Sequence, residues 1–247
     1  MSFNRWRSLV DGEVIVRIPE SEADQKLLHR WVLDDVNGTV EDSAGDVDGT
    51  NNGVTPVSGD WAGGSAGDGD GISDHINLGR MGDFGSSVLP NDFAVAFSIQ
   101  TTVGAEDGHF CFGMIDSDGD QRFRTRISDE NDGDVSLDLR SDTQDNMQAR
   151  TGGGQVDDGN PHRVVWNKTG SGASDQEVWV DQNELSLTTD NDDNPTSFSD
   201  FDTDMILFAS GTEDDTDDFH IDAIIDDFCF FDDSLTQSEI ESYQNPW

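Results

Sequence analysis

The chain is predicted to be an all-β protein, an antiparallel β-sandwich that ends in one short helix. Three observations predict it. Short β-prone apolar runs recur along the chain, separated by Gly- and Asp-rich stretches that read as turns. The run from Ile221 to Phe231 is apolar and is followed at once by a helix start. There Thr236 can cap the helix, Glu239 three residues on can reach back, and Leu235 and Ile240 stand at the staple positions. Finally, 247 residues with 33% hydrophobic content suit one large β domain.

The elements follow in order. Residues 1–28 read as an N-terminal arm, with a strand at Val14–Ile18 and a short helix capped by Ser21–Asp24 and running to Leu28. The arm is either a docking segment or a strand added to the sandwich edge. Residues 29–247 read as the main domain. Phe93–Ile99 alternates and is expected to be central, and Phe110–Ile115 follows it. Arg122–Ile127 and Asp134–Arg140 form a hairpin around Ser128–Gly133. Arg163–Trp166, Val178–Val180 and Met205–Phe208 precede the closing strand. There is no internal repeat and no long linker.

Charge is the second signal. Fifty-three acids face 13 bases, a formal net charge of −40. An acidic chain poor in aromatics is disordered, but six Trp and fourteen Phe argue for a packed core. The expected setting is a high-salt one, where the Debye length is about 3 Å and carboxylates keep the surface hydrated. Phosphates would be repelled, which excludes bare nucleic acid as a partner. No run is long and apolar enough to insert in a membrane. Asp11, Glu13 and Glu20 interrupt any export-signal core, so synthesis in a high-salt cytoplasm is expected. Cys111 and Cys229 sit mid-strand between phenylalanines and read as buried thiols, with their pairing left open.

Four segments carry a resemblance. They are His29-Arg-Trp-Val-Leu-Asp-Asp-Val-Asn-Gly-Thr-Val-Glu-Asp-Ser-Ala-Gly45, Gly154–Trp166 with Pro161 in place of a usual Trp, Glu177–Leu185 with Gln182 in place of a usual Gly, and the closing strand and helix. In this order they resemble the laminin-G-like jelly rolls of the concanavalin A-like lectin and glucanase superfamily, here of haloarchaeal or haloarchaeal-virus type. The resemblance covers roughly residues 29 to 244 and implies the fold rather than a ligand. It also implies a structural calcium where the first loop meets the last strand, at Asp34 or Asp35, Asp42, and Asp226 or Asp227. Asp116-Ser-Asp-Gly-Asp120 is a second candidate for calcium, because hard cations take carboxylate and carbonyl oxygens. Solvated surface acids are the alternative at every one of these positions.

Glucanases on this fold resemble one another in a Glu-x-Asp-x-(x)-Glu strand. Here Glu22-Ala-Asp24, in the arm, carries the first two positions without the third Glu. No catalytic residues are assigned. Two binding candidates remain. Arg122, Arg124 and Arg126 share one strand face and suit an anionic glycan or a partner's carboxylates. They equally suit a ladder with Asp134 and Asp138 on the partner strand. Trp61, in a glycine-rich stretch, is placed either to stack on a sugar or to anchor a loop. The expectation is a non-catalytic structural or adhesion protein displayed on a surface: a turret, decoration or fibre of a halophilic virus, oligomeric and meeting other virion proteins or host glycans. The alternatives are a lectin module of a halophilic archaeon or a degenerate glycoside hydrolase.

Overall fold

A computed structural model describes residues 7–10, 13–16, 23–58, 64–84, 92–104, 109–119, 121–127, 131–141, 146–170, 174–192, 201–209 and 220–243. In chain order the strands are β1 (Arg7–Val10), β2 (Glu13–Val16), β3 (Leu27–Trp31), β4 (Thr39–Val40), β5 (Gly49–Asn52), β6 (Thr55–Ser58), β7 (Ser65–Asp70), β8 (His75–Arg80), β9 (Asp92–Thr101) and β10 (His109–Ile115). Then come β11 (Arg122–Ile127), β12 (Val135–Arg140), β13 (Asn146–Arg150), β14 (His162–Thr169), β15 (Gln176–Val180), β16 (Asn183–Leu185), β17 (Thr188–Asp192), β18 (Asp204–Leu207) and β19 (Asp222–Phe231). The helix α1 (Gln237–Tyr243) closes the chain.

Two antiparallel sheets face each other. One has nine strands in the order β17-β13-β12-β11-β10-β18-β8-β5-β4. The other has eight, β16-β15-β14-β9-β19-β7-β6, with β3 beside β7 on the flank of β19. Period-two alternation builds the space between them. Phe93, Val95, Phe97 and Ile99 of β9 point inward and meet Phe112, Phe123, Trp166, Phe228 and Phe230 in a buried aromatic core. The residues between them, Ala94 and Ala96 with Val165, Cys229 and Phe231, form a second buried cluster on the outer face of the eight-stranded sheet, covered by Leu235 and Ile240 of the closing helix segment. Cys111 belongs to the inner cluster and Cys229 to the outer one, and both are free thiols.

The helix start forms as its residues dictate. Glu239 N–H donates to Thr236 Oγ1 at 3.3 Å, and Thr236 N–H donates to Glu239 Oε2 at 2.6 Å. Lys26 reaches the same carboxylate at 3.0 Å, tying the helix to the start of β3. Burial works against the Glu239 charge, but these donors hold its pKa below the usual carboxylate range.

Two expectations change. The helix from Ser21 to Leu28 is replaced by a single turn at Ala23–Gln25, and Leu27 and Leu28 enter β3. The pairing with β19, including Leu27 opposite Phe231, outweighs a marginal short helix. The glycine-rich stretch before Gly71 read as loop, yet Ser65–Asp70 is a strand. Its glycines make room for Phe208, since a Cβ on Gly69 would lie 2.6 Å from that ring. Within the arm, β1 pairs with β2 as a separate two-stranded sheet, so among the described residues neither is an edge strand of the sandwich.

Candidate functional site

The outer face of the nine-stranded sheet carries the candidate site. Alternation along β11 turns Phe123, Thr125 and Ile127 inward and leaves Arg122, Arg124 and Arg126 on the outer face. Register adds more arginine from the neighbouring strands. Arg140 lies directly opposite Arg122, and Ser136 lies between Arg126 on one side and Arg150 on the other. Five of the 13 lysines and arginines of a chain with net charge −40 therefore share one face.

The expected ladder forms at Asp138. Arg124 donates to Asp138 Oδ2 from Nε at 2.7 Å and from a terminal nitrogen at 2.6 Å. Arg122 stands 3.9 Å from the same oxygen. Asp138 is wholly buried, and its Oδ1 has no hydrogen-bond partner; nor has the buried Nε of Arg122. Arg124 and Arg126 also lie over the ring of Phe110, at 4.6 and 5.6 Å from its centroid. Burial draws the pKa of Arg124 below its ordinary value against the pull of Asp138. On the next pair of strands, Arg150 meets Asp190 at 3.0 Å. The face thus carries guanidinium groups, two of them over one aromatic ring, with one buried carboxylate only half engaged.

The residues read as calcium ligands have more varied surroundings. Asp42 is saturated by donors. Its Oδ2 meets His29 Nδ1 at 2.5 Å and accepts from Val47 N–H, while its Oδ1 accepts from Arg30, Ala44 and Gly45 N–H groups. It organises the first loop. Gly45 is required there, because a Cβ would lie 2.4 Å from the His29 ring. Asp227 sits at a bulge in β19 with φ 52°. It accepts from Arg30 Nε at 2.5 Å and lies 3.4 Å from the buried Arg163, which also donates to the Asp227 carbonyl. Asp42 and Asp227 therefore spend their oxygens on protein donors rather than on each other. Asp35 turns its own loop by accepting from Asn37.

Asp226, adjacent in sequence, differs. Its Oδ1 accepts from Leu33 N–H at 3.1 Å, but its Oδ2 is buried without a partner. Desolvation first, with the charges of Asp227 and Asp34 adding to it, pushes its pKa up to about 6. Asp34 accepts from Ser65 N–H. Among the described residues no three His, Cys, Asp or Glu side chains converge as a metal site. Asp116 closes the β10–β11 turn by accepting from Gln121 N–H, whereas Asp120 lies outside the described residues. Trp61 lies outside them too.

No known protein family's sequence profile matches the chain, and no curated protein sequence is significantly similar to it. Solved structures are similar in fold. The binding domain of Paraclostridial Mosquitocidal Protein 1 superposes with a TM-score of 0.66 at 11% identity, over 90% of this chain and 52% of that one. Trypanosoma rangeli sialidase in complex with 2,3-difluorosialic acid gives 0.63 at 12%, over 95% of this chain and 35% of that one. Domain 4 of AbnA, an extracellular GH43 arabinanase from Geobacillus stearothermophilus, in complex with arabinotriose, gives 0.62 at 16%, over 89% and 98%. This chain thus spans about half of the first, a third of the second and nearly all of the third. At these identities the likeness is one of fold, an antiparallel β-sandwich.

Proposed function

We propose that the chain is a non-catalytic adhesion module that binds glycans through the outer face of its nine-stranded sheet, displayed on a surface in a high-salt setting, with a virion component as the leading case. The observation that carries the reading is the arginine face itself. A protein with net charge −40 has gathered Arg122, Arg124, Arg126, Arg140 and Arg150 on three adjacent strands, beside Phe110. Guanidinium groups packed on an aromatic ring form a rigid array of donors, suited to the oxygen-rich surface of a saccharide. Support for carbohydrate as the partner comes from the fold neighbours, one of which is a domain holding arabinotriose. β1 and β2 pair with each other, which supports reading the start of the arm as a docking segment toward a larger assembly.

The test is a glycan array probed with the full chain in molar and in millimolar salt. Binding to a defined set of saccharides, lost on Arg124→Gln, with no change in the bound saccharides on prolonged incubation, is the expected result. A protein that binds no saccharide in either salt, or that cleaves one, overturns the reading.

A further inference from the structure

The outer face of the eight-stranded sheet holds a cleft of about 190 Å³, beyond the cluster covered by the closing helix segment. Register builds it. Ile224 of β19 stands between Asp68 of β7 on one side and Gln100 of β9 on the other, and alternation turns all three side chains outward. Asp222, two residues back along β19, shares their face and lines the cleft with them. The loop before β14 supplies the far wall. Gly159 N–H donates to Thr101 O at 3.0 Å, and Gln100 Nε2 donates to the Gly159 carbonyl at 2.8 Å. That second bond fixes the Gln100 amide and leaves its Oε1 as an acceptor.

The polar side chains of the cleft therefore offer acceptors. Among the described residues neither the Asp68 nor the Asp222 carboxylate receives a hydrogen bond or meets a lysine or arginine. Burial, with the charges of Asp222 and Asp74, raises the pKa of Asp68, so the two carboxylates repel each other at the cleft. Size narrows the occupant. The volume is several times the about 30 Å³ share of one water and below the roughly 300–1,000 Å³ of a drug-sized pocket, which suits one ring rather than a bare ion. A lone ammonium group can meet the carboxylates but not Gln100, since β7 and β9 lie about 10 Å apart at the backbone. A neutral sugar reaches both sides but leaves the repulsion between the acids. We propose that the cleft binds an amino sugar, with its ammonium group at Asp68 and Asp222, its ring against Ile224 and a hydroxyl donating to Gln100 Oε1. The ammonium group brings three N–H donors and the positive charge that the two carboxylates lack.

Calorimetric titration of the full chain in molar salt tests it, since there the diffuse attraction of a surface with net charge −40 for any cation is screened. The probes are a glucosamine oligomer in mildly acidic buffer, the same oligomer fully N-acetylated, and spermidine, which carries amines without a ring. The glucosamine oligomer is expected to bind at least about ten-fold tighter than the acetylated one, the value of one charge-assisted hydrogen bond, and tighter than spermidine. Asp222→Asn is expected to remove that preference, and Gln100→Ala to weaken both oligomers. Equal affinity for the two oligomers, or a preference undiminished in Asp222→Asn, overturns the inference. Spermidine bound as tightly as the glucosamine oligomer overturns the saccharide in favour of a simple polyamine. If Asp222→Asn fails to fold, Asp68→Asn carries the same expectation and the same overturning result. The cleft and the arginine face lie on different sheets, so a failure here leaves the reading of that face standing.

Discussion

Asp226 shows what a single residue contributes here. Folding removes its carboxyl group from water, has Leu33 N–H donate to Oδ1, and leaves Oδ2 without a partner near the charges of Asp34 and Asp227. A carboxyl held at about 6 in the folded state, against 3.8 before burial, destabilises the fold as pH rises between those values. At about 1.4 kcal/mol per pKa unit the cost at neutral pH is on the order of 2–3 kcal/mol. Asp226→Asn is therefore expected to raise the melting temperature at pH 7 in chelator. A calcium ion held by Asp34 and Asp226 would remove the same cost, so added calcium is expected to stabilise the wild type and not the variant. A wild-type melting point unmoved by calcium at fixed ionic strength removes the ion and leaves a strained carboxyl group. The family resemblance singled out this stretch of β19, but not which of two adjacent acids is unpaired. That depends on the bulge at Asp227, a property of pairing with β9 rather than of the local sequence.

At the scale of elements, the junction of β14 with the β15–β16 hairpin is held by a histidine. His162 Nδ1 meets Asp181 at 2.7 Å and Nε2 meets Asp158 at 3.0 Å. Asp181 and Gln182 form the two-residue turn, both with positive φ (48° and 70°), the backbone form that a hairpin of this length prefers. Partial burial works against the imidazolium, but the two carboxylates raise its pKa above the ordinary 6.5. A raised pKa means that the stability is fully present below about pH 6.5 and is lost as pH rises through the folded-state value. His162→Gln is expected to lower the melting temperature at pH 5.5 and to differ little from the wild type at pH 9. A gap that widens with pH contradicts the paired-histidine account. The hairpin was expected from the resemblance carried by Glu177–Leu185. The second carboxylate was not, because Asp158 comes from the loop before the strand.

At the scale of the whole molecule, charge and connectivity decide together. A net charge of −40 opposes compaction, and at low ionic strength nothing screens it. Among the described residues β1 and β2 of the arm pair only with each other, so neither is part of a sandwich sheet. A chain lacking residues 1–20 is accordingly expected to melt as the full chain does in molar salt, and both are expected to lose stability when dialysed to tens of millimolar. A truncated chain that unfolds in molar salt would make the arm a core element, and a melting temperature indifferent to salt would remove the case for a high-salt protein.

The sequence alone determined the local and periodic features. Alternation along Phe93–Ile99 and Arg122–Ile127 assigned faces, and Thr236 with Glu239 marked the helix start, since both signals are written within a few residues. The arginine stripe on β11 was visible for the same reason. Only the tertiary structure decided what faces what. That Arg140 and Arg150 join the stripe depends on the register of β12 and β13. That Asp138 serves Arg124 and leaves one oxygen empty depends on the same register. The conversion of the Ser65–Asp70 stretch into a strand depends in turn on its pairing with β19 and β6. A side chain's direction is set by its own backbone, but its partner is set by a strand brought alongside from elsewhere in the chain, and no local pattern encodes that pairing.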